Sequence, residues 1–174
     1  AGGPHYLMRF CRLEPGMAEG GAVGHAEAGA VQAALDTEPS ARAALHVTDL
    51  PGPTGESNRL SAYPRASLLC LGPSPAQALA QAEAVRRLGG RAVEAPGLPL
   101  EALARLSGFA GALWWGDAAT ARAHAQALAM RAGAILPLIG GLPDAAHATL
   151  ERHVCIDTTA SGGNAQLLAE VADP

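Results

Sequence analysis

The sequence predicts an α/β fold: a small, open, mostly parallel sheet with helices on both faces, plus an N-terminal strand or extended arm. Three observations carry this expectation. Residues 67–174 alternate short apolar runs of strand length with longer stretches whose apolar residues recur at helical spacing. The longer stretches are bounded by residues that cap helices. The connections between successive runs are short, so strand and helix succeed one another without room for a second long excursion.

Taken in order, "SLLCL" (67–71) is a buried-type strand. Ser74-Pro75-Ala76-Gln77 then reads as a capping box with proline at the first helical position. The helix continues as "PAQALAQAEAVRRLG", and Gly89 fits its C-terminal cap. "RAVEA" follows as a strand, and "PLEALARLSG" as a short helix with Leu100, Leu103 and Leu106 on one side. "AGALWW" is the next strand. Asp117 is placed to cap "AATARAHAQALAMRAG", which carries Arg131 and Gly133 at its end. "AILPLI" reads as a strand whose Pro137 favours a sheet edge or a strand end. "HVCID" (153–157) is the last strand. This order, with right-handed crossovers, gives a Rossmann-like sheet of about four or five strands.

Upstream the pattern is weaker. Residues 1–13 hold "PHYLMRFCR" at strand-like spacing. Residues 14–66 read as a linker with one helix, "GHAEAGAVQAALD", and a turn-rich loop, "LPGPTGESNRLSAYPR". The expected division is therefore 1–13, 14–66 and 67–174.

Composition narrows the function classes. The chain has 174 residues and a formal charge of −4, which argues against nucleic acid as a partner of this segment. All 12 basic residues are arginine, so no lysine is available for Schiff-base chemistry. No apolar run approaches the length of a membrane span. Cys11, Cys70 and Cys155 form no CxxC pair, and Cys70 and Cys155 sit in apolar runs. They read as buried free thiols in a reducing, cytoplasmic setting.

Motifs for chemistry are sparse. "GPSPAQ" after the first strand is no G-x-G-x-x-G, and Pro73 and Pro75 lack the N–H groups a pyrophosphate needs. "GPTGES" lacks the lysine of a phosphate-binding loop. The histidines, His5, His25, His46, His124, His147 and His153, show no zinc spacing and read as surface or capping residues. His153 and Cys155 would share a face of a strand, so a thiolate pair is weighed against a plain apolar strand. Trp114 and Trp115 end a strand at its carboxyl end, where α/β sheets bind ligands, or else fill the core and cover a helix.

Three stretches, at the start, in the middle loop and at the end, carry a resemblance when taken together. "AGGPHYLMRF" resembles the segment that follows the catalytic domain of glutamate-semialdehyde dehydrogenases. "LPGPTGESNRLSAYPRASLLCLG" and "HVCIDTTASGGNAQLL" resemble the C-terminal region of long, bifunctional proline utilization A proteins, which end in a similar Thr-Ala-x-Gly-Gly-Asn-Ala motif. The resemblance implies a parent that oxidises proline with FAD and glutamate semialdehyde with NAD, passing the intermediate through a tunnel. It implies that residues 1–13 are the tail of an aldehyde dehydrogenase domain. Residues 67–174 would be a non-catalytic accessory domain of aldehyde-dehydrogenase-superfamily fold that packs on that dehydrogenase and seals the tunnel. No cofactor, catalytic or metal residue is expected in this segment, and homo-oligomerisation of the parent stays open.

The resemblance also singles out the last residues. Gly162 and Gly163 permit a tight path, and Asn164 can cap "AQLLAEV". Thr158, Thr159 and Ser161 can satisfy backbone groups, with Leu167 and Leu168 as apolar anchors against the partner domain. The competing expectation is a strand-turn-helix that closes its own domain. At the level of function, the competing reading is a stand-alone Rossmann-like module for a nucleotide or a small acid.

Overall fold

The computed structural model describes residues 25–37 and 43–157. The elements are α1 (Ala28–Thr37), β1 (His46–Leu50), β2 (Glu56–Pro64), β3 (Ser67–Cys70), α2 (Pro75–Arg87), β4 (Ala92–Glu94), α3 (Leu100–Arg105), β5 (Phe109–Leu113), α4 (Ala118–Ala129), β6 (Leu138–Ile139), α5 (Ala145–Ala148) and β7 (Thr149–Asp157). Residues 1–13, with the expected N-terminal arm, lie outside the described residues.

The chain divides into two compact units, one built from residues up to 41 and 64–149, the other from 42–63 and 150–174. The first unit holds a four-stranded sheet of order β4-β3-β5-β6. Every pairing in it is parallel: Leu68 lies beside Ala92 and Gly111, and Leu113 beside Ile139. This is the Rossmann-like α/β sheet that the alternation of runs predicts.

The central strand explains the layers. All four residues of β3 are buried. Successive side chains of a strand point to opposite faces, so both faces need a cover. On one face Leu68, Cys70 and Leu113 pack with Ala78, Ala82 and Val85 of α2. On the other, Leu69, Leu71 and Ala112 pack with Val31 and Leu35 of α1, Leu103 of α3 and Leu128 of α4. Alanines on α2 let the helix approach the sheet closely, while the leucines supply most of the buried area.

The caps form where the sequence places them. Ser74 Oγ accepts the Gln77 N–H at 3.3 Å, and Pro75 opens the helix. Gly89, at φ 75°, closes it. Asp117 accepts the N–H groups of Ala119 and Thr120, each at 2.9 Å. The Arg131 guanidinium donates to the Leu103 carbonyl at 2.8 Å and stacks 4.5 Å from the Phe109 ring, tying α4 to α3 and β5.

Three local expectations change. Leu103 and Leu106 are buried as expected, but Leu100, at the first position of α3, is 40% exposed. The strand expected over 134–139 shrinks to Leu138–Ile139 after Pro137, and Ile135 is almost fully exposed. The loop expected over 50–65 is a hairpin. In it β1 and β2 pair antiparallel, from His46 beside Ala62 to Leu50 beside Asn58, and only 51–55 is the turn. Gly55, at φ 88°, sits in that turn.

The second unit is a three-stranded sheet of order β1-β2-β7. Asn58 bonds His153 and Glu56 bonds Cys155, so those side chains share one face, with Leu50, Leu60 and Ala62. The opposite face mixes aliphatic and charged side chains: Val47, Leu150, Val154 and Ile156 stand with Asp49, Arg59 and Arg152, whose guanidinium lies 4.7 Å from the Tyr63 ring. Leu150, Val154 and Ile156 are between 37% and 58% exposed.

The double burial of β3 has a measurable consequence. Leu69→Ala is expected to lower unfolding free energy by about 2–5 kcal/mol in urea denaturation. An equivalent truncation of exposed Leu100 should cost well under half as much.

Candidate functional site

The residues singled out at the chain end, Thr158, Thr159, Ser161, Gly162, Gly163, Asn164, Leu167 and Leu168, all lie outside the described residues. Two other features of the described chain have the geometry of a site: a crevice at the strand ends and the exposed aliphatic group of the small sheet.

The crevice follows from strand order. The chain runs β3, β4, β5, β6, but the sheet runs β4-β3-β5-β6, so the direction of winding reverses between β3 and β5. At such a reversal the connections leave on opposite faces and open a gap beyond the carboxyl ends of the strands. Here the gap measures about 300 Å³ and is lined by Leu71, Gly72, Pro73, Gly97, Leu98, Trp114, Thr120 and His124. Thr120, His124 and Leu128 recur every four residues along α4, and His124 and Leu128 are buried.

Two glycines shape it. Gly72 turns the chain at φ 32°, and a Cβ there would lie 2.4 Å from the Ala78 backbone nitrogen. At Gly116 a Cβ would lie 2.5 Å from the Trp114 ring, so only glycine lets the chain pass that indole. The two tryptophans part company. Trp114 packs with the α1/α3/α4 core and donates from Nε1 to the Asp117 carbonyl at 3.1 Å. Trp115 packs with the α2 core and donates to the Gly141 carbonyl at 2.8 Å.

A dinucleotide does not fit this strand-end turn. Its pyrophosphate needs free N–H groups at the turn and helix N-terminus. The Gly72 N–H already donates to Gln81 Oε1 at 3.0 Å. Pro73 and Pro75 have no N–H to give. The N-terminus of α4 is filled by the Asp117 carboxylate, whose bonds to Thr120 and Ala119 hold its pKa below the ordinary range.

His124 departs from the surface role read for the histidines. It is 6% exposed, meets Trp114 edge to face at 4.8 Å between centroids, and its Nδ1 has no hydrogen-bond partner. Burial pushes its pKa below the ordinary 6.5, with Asp117 opposing. His147 is a capping residue, in a box with Asp144 at the start of α5.

The Cys155–His153 pairing forms no nucleophile. The two share a face, but His153 bonds Asn58 at 3.0 Å and the Cys155 thiol bonds Glu56 at 3.3 Å. That bond to a carboxylate keeps the proton on sulfur and raises the thiol pKa. Cys155 is also exposed, where burial was expected, because nothing among the described residues covers that face of β7. Cys70 is buried as expected, and burial, with the Glu94 carboxylate adding, pushes its pKa up to about 12. Among the described residues no group of three His, Cys, Asp or Glu side chains could hold a metal ion, and no helix is long and apolar enough to cross a membrane.

The pattern reading missed the crevice as a unit. Gly72 and the tryptophans were visible in it, but Gly97, Leu98, Thr120 and His124 join them only through the strand order. The four-residue spacing of Thr120, His124 and Leu128 was the available signal.

His124 makes stability depend on pH. The unfolded chain takes up a proton at about 6.5, the folded chain only at lower pH. The contribution is therefore complete above pH 6.5 and is lost as pH falls from there through the folded pKa. His124→Phe is expected to flatten this part of the profile of urea midpoint against pH. An unchanged slope below pH 6.5 would contradict it.

No family model matches the chain. It is 32% identical to the bifunctional protein PutA of Salmonella typhimurium over 143 residues, and 29% identical to that of Escherichia coli. Each alignment covers 68% of this chain and 11% of the relative. A crystal structure of bifunctional proline utilization A shares 25% identity at a TM-score of 0.40. A variant of the Bradyrhizobium japonicum protein shares 26% at 0.41, each covering 53% of this chain and 13% of the other. The chain thus spans a small part of the length of its relatives, and over that span it is homologous to them: it is a domain related to bifunctional PutA.

Proposed function

We propose that this chain is a non-catalytic packing domain of a bifunctional proline-catabolic enzyme. In this reading the parent oxidises proline to pyrroline-5-carboxylate with FAD and glutamate semialdehyde to glutamate with NAD, in the cytoplasm. The chain stabilises the dehydrogenase domain of the same polypeptide and closes the path along which the intermediate travels. Residues 1–13 belong to the preceding dehydrogenase domain, and Thr158 to Leu168 form the segment that seats against it.

The observation that carries this reading is the exposed aliphatic group of the small sheet. Its two outer strands, β1 and β7, put Val47, Leu150, Val154 and Ile156 on one side, all more than a third exposed. A sheet with exposed aliphatic side chains gains from a second layer, because a few strands alone are marginal in water. A neighbouring domain supplies that layer. The polar chemistry of the first unit fits the same reading: the Gly72 N–H at the strand end is bonded internally, and burial raises the pKa of the Cys70 thiol.

The first test is the mass of the native polypeptide that carries this sequence, read by immunoblot with an antibody to residues 67–157. A band many times larger than 17.5 kDa is expected. A band near 17.5 kDa would remove the parent and this reading with it.

The second test acts on the surface. In that polypeptide, Val154→Glu with Ile156→Glu is expected to introduce a lag in coupled oxidation of proline to glutamate. The two separate activities should stay within about twofold, as for surface changes distant from a site. Gly162→Val with Gly163→Val should act in the same direction. Coupled turnover without a lag in both variants would contradict a sealing role.

A further inference from the structure

The crevice beyond β3 and β5 has a lining that a packing role does not use. Its walls are Leu71, Pro73, Leu98 and the Trp114 indole, and its polar side chains are Thr120 and His124. No Arg, Asp or Glu lines it. At about 300 Å³ it has the volume of a small-molecule site, and a mostly apolar lining with a few polar groups is the usual make-up of one.

We propose that this crevice is a binding site for an uncharged planar heterocycle the size of a nucleobase or a nicotinamide ring. Shape supports a flat ligand. Trp114 and His124 meet at 72°, forming a corner of two aromatic rings, and aromatic pairs favour stacked or edge-to-face contact. Charge supports a neutral one. An anion would meet no basic side chain, and the backbone donors that could replace one are bonded to Gln81 and Asp117. A cation would meet no carboxylate within the lining.

Polarity supports a heterocycle over a hydrocarbon. His124 Nδ1 is buried without a hydrogen-bond partner, and a half-turn about the Cβ–Cγ bond exchanges the positions of Nδ1 and Cδ2. A ring nitrogen or amide on the ligand that reaches His124 would relieve that unmet bond, and the Thr120 hydroxyl, whose proton goes to the Asp117 carboxylate, keeps a lone pair to accept a ligand N–H. The geometry therefore describes a strand-end pocket that has kept room for a ring and has no cradle for a phosphate.

The test titrates adenine and nicotinamide into the chain, followed by intrinsic tryptophan fluorescence and by calorimetry, to about 10 mM, beyond the weak end of specific binding. AMP and inorganic phosphate are titrated in parallel. Saturable binding of at least one free heterocycle is expected, with AMP no tighter and phosphate silent. His124→Phe keeps a ring but removes its nitrogens, and should weaken binding about threefold to tenfold. Absence of saturation with both heterocycles would overturn the proposal. So would AMP binding more tightly than adenine, because the pocket would then recognise the phosphate. Binding unchanged in both His124→Phe and Thr120→Val would place the ligand elsewhere and overturn it too. These outcomes are independent of the immunoblot and coupling results that test the packing role.

Discussion

The structure of the first unit depends on one strand. Ser67, Leu68, Leu69 and Cys70 leave almost no surface to solvent. A strand that is apolar on both sides cannot stand at the surface of a two-layer fold. It forces a layer of helix on either face, and parallel neighbours follow because each return to the sheet passes through one of those helices. The Ala-rich composition then becomes intelligible. Ala78 and Ala82 on α2 are fully buried against β3 and its neighbours, where larger side chains would push the helix away. The area lost to alanine is recovered by Leu68, Leu69, Leu71, Leu103 and Leu113, each at most 2% exposed.

The second unit is built on the opposite principle. One side of β1, β2 and β7 carries the Asn58–His153 and Glu56–Cys155 bonds, and the other sets Val47, Leu150, Val154 and Ile156 among Asp49, Arg59 and Arg152. Its cross-strand contacts are of the modest kind: an exposed Arg59–Asp49 pair at 3.0 Å and the Arg152–Tyr63 stack. Exposed ion pairs contribute little. A three-stranded sheet with exposed aliphatic side chains gains stability from any second layer laid on it.

How much of this was legible in the sequence follows from where the information sits. β3, α2, β5 and α4 were legible because their signals are local: a buried-type run, Ser74 and Asp117 as caps, Gly89 as a stop. The hairpin was not, because its strands "HVTDL" and "ESNRLSAYP" are largely polar and flank a stretch dense in glycine and proline. Loop chemistry at 51–55 masked the strands on either side. Leu100 was misplaced for a similar reason. It satisfies helical spacing with Leu103, but it stands at the first position of a six-residue helix, where the outer turn meets solvent. The crevice was least legible of all. It depends on β5 pairing beside β3 and not beside β4, a choice that no single segment encodes.

The distribution of hydrogen bonds ties these points to function. In the first unit the groups that could act on a substrate are bonded to the protein itself. Both indole N–H groups reach backbone carbonyls, Gly72 reaches Gln81, and the N-terminal donors of α2 and α4 reach Ser74 and Asp117. Polar capacity is turned inward while aliphatic side chains of the small sheet are turned outward. The exceptions are three buried atoms, Ser67 Oγ, Gln81 Nε2 and His124 Nδ1, and of their residues only His124 lines the crevice. It stands where an α/β sheet would hold a ligand, beside a turn whose prolines exclude a phosphate. The physical logic therefore separates two surfaces on one chain: a sheet face with exposed aliphatic side chains, and a strand-end crevice lined by apolar walls, one histidine and one threonine.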